Sequence, residues 1–269
     1  MTASIDLDRY FARIGWGDPA TPTFDTLAGL IEAHTATIPF ENLDVLLNRP
    51  IRLDPRGLQA KLITNRRGGY CFEHATLLAG VLEAIGFNVT RHTARVVLFM
   101  PRSASPRGHM LLIVRLAEGE FVVDPGFAAF ACRRPLPLVD GGRVASETMV
   151  HTMVREGRYW VLNVEREGAS MEGWVTTLDA DNAIDFEVGN HYMSTHPEAV
   201  MRNHLLLNAL TRDGRVSVMN QEVTIRRGSG VQKSVLADRR ALRTLIEENF
   251  GFDLPEIEAI KVPSIPHWT

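Results

Sequence analysis

The 269-residue chain has two cysteines, Cys71 and Cys132, too few for a disulfide framework. No stretch approaches the roughly 20 apolar residues of a membrane span. The opening Met1-Thr2-Ala3-Ser4-Ile5-Asp6 lacks the basic-then-apolar order of a secretion signal. A net charge of −3 and a pI near 6.3 give little basis for nucleic-acid binding. The pairs Arg226-Arg227 and Arg239-Arg240 read as solvated faces. Metal-ligand spacing is missing: His74, His92 and His109 are neither at i, i+4 nor joined by a cysteine pair. Gly68-Gly69 has no lysine at phosphate-loop spacing. No internal repeat is visible. These absences leave an ordinary globular protein of two or three compact units. Its expected compartment is a reducing cytoplasm, where a thiol stays free.

Three kinds of pattern follow one another along the chain. Leu7, Tyr10, Phe11 and Ile14 recur at helical spacing, and Leu27, Leu30 and Ile31 mark a second helix over 26–35. Phe40-Glu41-Asn42-Leu43 reads as an extended or short helical link. A third helix is expected over 72–85, with Gly86 as its cap. From 88 to 99 the pattern becomes strand-like and buried on both sides over part of its length. Further strands fit 110–114, 121–123, 152–154, 159–164 and 174–177, close-set enough for a small antiparallel barrel or sandwich. A helix over 181–193 leaves it. The remainder mixes strands at 215–219 and 222–225 with a helix at 237–249 and an irregular tail. The expected fold is α+β, with helices over 1–86, a β-barrel over 87–195 and an α/β lid over 196–269.

Cys71 is the residue that carries chemistry. It sits in Arg67-Gly68-Gly69-Tyr70-Cys71-Phe72-Glu73, placing a thiol on a tight turn at a helix N-terminus. Such an end presents free N–H groups and favours negative charge. His109 begins one strand, and Asp124 ends the next, just before Pro125-Gly126. A turn at Glu118-Gly119 sets the two side by side. A thiol needs a base, and the base needs an acceptor on its other ring nitrogen. Cys71, His109 and Asp124 supply these in order, and the Cys71 N–H suits a developing oxyanion.

With these residues and Pro39-Phe40-Glu41-Asn42, Gly108-His109-Met110 and Val123-Asp124-Pro125-Gly126-Phe127, the chain resembles the arylamine N-acetyltransferase family over nearly its whole length. That resemblance implies a helical domain, a β-barrel and an α/β lid around a cysteine-protease-like core. It implies ping-pong acetyl transfer from acetyl-coenzyme A, as co-substrate and without metal, to an arylamine, arylhydroxylamine or hydrazine. It further implies substrate contacts from Phe40, Val97 and Phe127, and cofactor contacts from Gly126 and Phe127. The implied partners are coenzyme A and a small aromatic amine or hydrazine, without nucleic acid or membrane, for a monomer or homodimer. Where many relatives carry another glycine, Ala128-Ala129-Phe130 follows, which would narrow the acceptor pocket or reshape the cofactor mouth.

Two other readings remain open on the residues alone. A papain- or transglutaminase-like hydrolase uses Cys, His and Asp in the same order. A non-catalytic binding protein on this scaffold would keep Cys71 as an ordinary thiol.

Overall fold

The computed structural model describes residues 5–98, 100–146, 148–211 and 214–268. The first helices are α1 (Leu7–Ile14) and α2 (Phe24–Thr37), capped by Asp6 and Thr23. The link becomes a two-residue strand β1 (Phe40–Glu41) and a short helix α3 (Leu43–Leu46). A helical run not expected from the sequence follows: α4 (Pro55–Leu58) continues into a π-helical stretch, Gln59–Thr64. Helix α5 (Cys71–Ile85) ends at Gly86, as expected, and is buried on most of its surface.

The barrel strands are β2 (Asn88–Val96), β3 (His109–Leu116), β4 (Gly119–Val123), β5 (Leu136–Pro137), β6 (Arg143–Ala145), β7 (Val150–Glu156), β8 (Tyr159–Arg166) and β9 (Ala169–Thr176). They pair antiparallel in the order β5-β4-β3-β2-β9-β8-β7-β6, and contacts of β5 with β6 and β7 nearly close the barrel. The strand buried on both faces is β3, not β2. Met110, Leu112 and Val114 face the helices, while Leu111 and Ile113 face the barrel interior. The middle of β3 is buried under α5 on one side and in the barrel on the other. The first half of β2 instead borders an open groove. Phe99, expected in that strand, lies outside the described residues.

Helices α6 (Ala183–Thr195) and α7 (Val200–Asn203) lead to β10 (Leu206–Thr211), β11 (Gly214–Met219), β12 (Glu222–Arg227) and β13 (Gly230–Val235), then α8 (Arg239–Phe250). With β1 these strands make a five-stranded antiparallel sheet in the order β1-β10-β11-β12-β13. Leu242, Ile246 and Phe250 of α8 pack on it, and the irregular tail adds Ile257, Ile260 and Trp268 to the same core. The fold is α+β, a nearly closed eight-stranded barrel with helices and a second sheet. Among the described residues no helix is long and apolar enough to cross a membrane.

Pro39-Phe40-Glu41-Asn42 joins these parts. The Phe40 backbone bridges Gly69 on one side and pairs with Asn208 of β10 on the other. The Asn42 amide donates to the carbonyls of Met201 and His204 and accepts from the Leu206 N–H, using its capacity on the entry to the second sheet. The expected tight turn before Cys71 takes its positive φ at Arg66, +54°. Gly68 serves a different need: a Cβ there would lie 2.0 Å from the Pro39 carbonyl oxygen. The chain before the thiol is therefore an extended stretch laid against residues 39–41.

Charge fixes that contact. Arg67 reaches Glu41 and Asp44, each at 2.7 Å, while Lys61 reaches Glu73 at 2.8 Å and Asp44 at 3.0 Å. Arg49 adds a third cation, 3.5 Å from Asp44. Burial works against each buried cation, but the surrounding carboxylates outweigh it and raise Lys61 and Arg67 above their ordinary values. Burial also opposes ionisation of Asp44, and Lys61 and Arg67 together hold it below the usual range. Such a cluster adds little net stability when complete, but removing one partner strands the opposite charge in a dry site. Arg67→Ala is expected to cost about 3–5 kcal/mol of unfolding free energy in urea. A loss below about 1 kcal/mol, the range of exposed pairs, would show that the cluster does not act as a buried unit.

Candidate active site

Cys71 is the first residue of α5, and its Sγ lies 3.7 Å from the Gly108 carbonyl oxygen. His109 opens β3, and Asp124 directly follows β4. The register that pairs Leu112 with Val123 sets the start of one strand beside the end of the other. His109 Nε2 and Asp124 Oδ2 are 2.8 Å apart, and Trp174 Nε1 donates to the same oxygen at 2.9 Å. An ionised carboxylate only accepts, so Nε2 carries a proton and Nδ1 is the ring nitrogen left for another partner. Burial alone would push His109 down. The Asp124 charge, the hydrogen bond to Asp124 and the nearby Cys71 outweigh it and raise the ring to about 10. The structure thus brings the three residues predicted from sequence to one place: His109, Asp124 and Trp174 are hydrogen-bonded together, Trp174 being a member that no sequence signal marked, and Cys71 meets the carbonyl of Gly108, the residue before His109.

Cys71 and His109 are nearly inaccessible to solvent but line a cavity of about 480 Å³. Its floor is Cys71, His109 and Gly126, its walls include Phe40, Phe127 and Phe130, and β10 and β11 roof it with Asn208 and Ser217. Gly126 stands directly against the nucleophile's backbone: a Cβ there would be 2.5 Å from Cys71 Cα. The close approach that this glycine permits is that of Cys71 itself, at a point that also borders the cavity. The Phe127 ring centre is 5.3 Å from that of His109.

Val97 does not line the cavity. Val96 and Leu98 do, because neighbouring residues of an extended chain face opposite ways. Val97 donates its N–H to Gly173 O of the neighbouring strand β9. The Ala128-Ala129-Phe130 segment is a single 3₁₀ turn with Ala128 at φ +47°, a conformation costing a non-glycine residue roughly 1–2 kcal/mol. Phe130 packs 5.8 Å from Phe127 and contributes to the cavity wall.

A buried relay positions Phe40. His74 Nε2 lies 3.1 Å from the Pro39 carbonyl oxygen, His34 Nε2 lies 2.9 Å from His74 Nδ1, and the Tyr10 hydroxyl lies 2.9 Å from His34 Nδ1. A carbonyl only accepts, so His74 Nε2 is the donor. Each next bond is then fixed in turn: His34 Nε2–H donates to His74, and Tyr10 O–H donates to His34. Burial keeps both rings neutral, pulling His74 down to about 4 and His34 well below its ordinary value. The Phe40 ring stacks on His74 with an interplanar angle of 5°. A larger groove, about 1240 Å³, runs between α6 and β2 and does not touch Cys71, His109 or Asp124. Its lining is more polar than that of the cavity at Cys71, which makes it a poorer setting for a nucleophile.

The chain matches the family described as N-acetyltransferase over residues 23–259. It is 35% identical over 252 residues to the arylamine N-acetyltransferase of Escherichia coli, covering 93% of this chain and 90% of that one. The arylamine N-acetyltransferase / N-hydroxyarylamine O-acetyltransferase of Salmonella typhimurium is 33% identical, with 94% and 90% covered. The arylamine N-acetyltransferase of Mycobacterium marinum in complex with CoA superposes with a TM-score of 0.88 at 31% identity, over 94% of each chain. Match, identity and shared fold together make the chain a member of the arylamine N-acetyltransferase family.

Proposed function

We propose that this protein transfers an acetyl group from acetyl-coenzyme A to arylamines, arylhydroxylamines or hydrazines, with Cys71 carrying the group as a thioester. The observation that carries the reading is that Cys71 and the Asp124-bonded His109 line one largely apolar cavity. Its substrates are supported by the names of the relatives and by the coenzyme A bound to one of them.

Each residue has a task. His109 takes the Cys71 proton, and Asp124 holds the resulting imidazolium. The sulfur attacks the acetyl carbonyl, the bond to the coenzyme A sulfur breaks, and the departing thiolate takes the proton from His109. Coenzyme A leaves before the acceptor enters. The acceptor's nitrogen or oxygen then attacks the thioester carbonyl and gives its proton to His109 as the bond to Cys71 breaks. The Cys71 N–H at the start of α5 serves the oxyanion of both steps. Phe40 and Phe127 stack on the acceptor ring. The apolar wall keeps water from the thioester, and this favours transfer over hydrolysis.

Intact-protein mass spectrometry after mixing with acetyl-coenzyme A is expected to show one added acetyl group, absent in Cys71→Ala and removed by an aromatic hydrazine. Coenzyme A release at a rate independent of acceptor would mark a hydrolase instead.

Iodoacetamide separates the two thiols. Burial pushes Cys132 up to about 11, leaving on the order of 10⁻⁴ of it ionised at pH 7. Cys71 is expected to react at least about a hundredfold faster, through its imidazole and helix terminus. Equal rates would support the non-catalytic binding reading.

Stability should depend on pH through His109. Its value of about 10 lies above the ordinary imidazole value of about 6.5, so the native state gains from protonation. That gain is complete below about pH 6.5 and is lost as pH rises through about 10. In urea, the stability gap between wild type and His109→Gln is expected to narrow between pH 7 and pH 10. A gap that widens over the same range would contradict the Asp124-held imidazolium.

A further inference from the structure

Arg215 and Arg226 stand directly opposite each other on the paired strands β11 and β12. Like charges in that position destabilise a sheet. Two more arginines join them: Arg166 at the end of β8 and Arg133 just after the Ala128–Phe130 turn. Burial and the charges of Arg133, Arg166 and Arg226 pull Arg215 down to about 10. Carboxylates are few here and lie on the outside. Glu167 is 3.0 Å from Arg226 and Glu32 is 3.2 Å from Arg133, with side chains 63% and 61% exposed. Arg133 Nε is buried with no partner among the described residues. Four cations therefore face two peripheral anions, and Arg226 is not the solvated surface charge expected from sequence.

The cluster borders the cavity mouth. Arg215 donates to the Ala129 carbonyl, and the Arg166 guanidinium lies 5.0 Å from the centre of the Phe130 ring. Ala129 and Phe130 both line the cavity. Arg215, Ser217 and Met219 alternate along β11 on one face, and the latter two also line it. A long molecule with its tip at Cys71 that leaves past Phe130 meets these guanidinium groups next.

We propose that Arg133, Arg166, Arg215 and Arg226 bind the phosphates of coenzyme A, while its uncharged pantetheine arm runs past Phe130 to Cys71. This rests on acetyl-coenzyme A being the donor. Guanidinium forks match phosphate oxygens two at a time. A bound polyanion also adds negative charge to the facing Arg215–Arg226 pair, whose anion Glu167 reaches only Arg226 and from the exposed side.

The test is calorimetric titration with coenzyme A and, separately, with phosphate-free pantetheine. It uses wild type, the double variant Arg166→Gln/Arg226→Gln, and Arg226→Lys. The double variant is expected to weaken coenzyme A by about tenfold or more and pantetheine by less than about twofold. Arg226→Lys should weaken coenzyme A by less than the double variant does, because it keeps the charge and loses only the two-pronged geometry. The double variant should retain the wild-type urea midpoint, since it removes one of two facing like charges. Unchanged coenzyme A affinity, or equal weakening of both ligands, would overturn the arginine assignment and leave the transfer reading standing. Wild type that does not bind coenzyme A at all would overturn both.

Discussion

The site depends on how residues 67–70 are laid against residues 39–41. Nothing about a helix N-terminus by itself decides where it points. Here Arg67 and Lys61 hold Glu41, Asp44 and Glu73 in one buried cluster, and Gly68 lets the two backbones touch at Pro39. Glu73 also accepts from the Tyr70 N–H, so the first turn of α5 is tied to the same cluster. With that entry fixed, Cys71 starts its helix against Gly126 and within reach of His109. A hydrophobic contact of similar area would tolerate sliding; a set of paired charges in a dry site does not, because any slip leaves one of them uncompensated.

The chemistry of the site was more legible in the sequence than its walls. Helix α5 is bracketed by Tyr70 and Gly86 and filled with apolar residues, so its start at the thiol could be read directly. His109 and Asp124 belong to strands joined by a two-residue turn, where neighbours in sequence are forced to be neighbours in space. Cavity-facing residues are different, because each depends on which way one residue turns. Val97 shows this: Val96 and Leu98 on either side of it line the cavity, and it does not. The ion cluster was illegible for another reason. Glu41, Asp44, Lys61, Arg67 and Glu73 each look like surface residues, and only tertiary contact makes them a buried group. Strand β13 is exposed along its whole length, so it leaves no alternation of buried and open residues to read.

Ala128-Ala129-Phe130 brings several effects together in one turn. The left-handed Ala128 turns the backbone so that the Ala129 carbonyl meets Arg215. It also sets the Phe130 ring between Phe127 and Arg166. A strained residue at the edge of a cavity is held there by the packing around it. In this chain the packing is an aromatic pair on one side and a basic cluster on the other.

The second sheet is not a hinged cover. Its edge strand is Phe40-Glu41, hydrogen-bonded to β10 on one side and to Gly69 on the other. Swinging that sheet outward as a rigid body would tear backbone bonds beside the nucleophile or drag Phe40 away from it. Traffic to the sulfur therefore runs through the cavity with the second sheet in place, leaving the main chain around Cys71 in the same arrangement before and after each visitor.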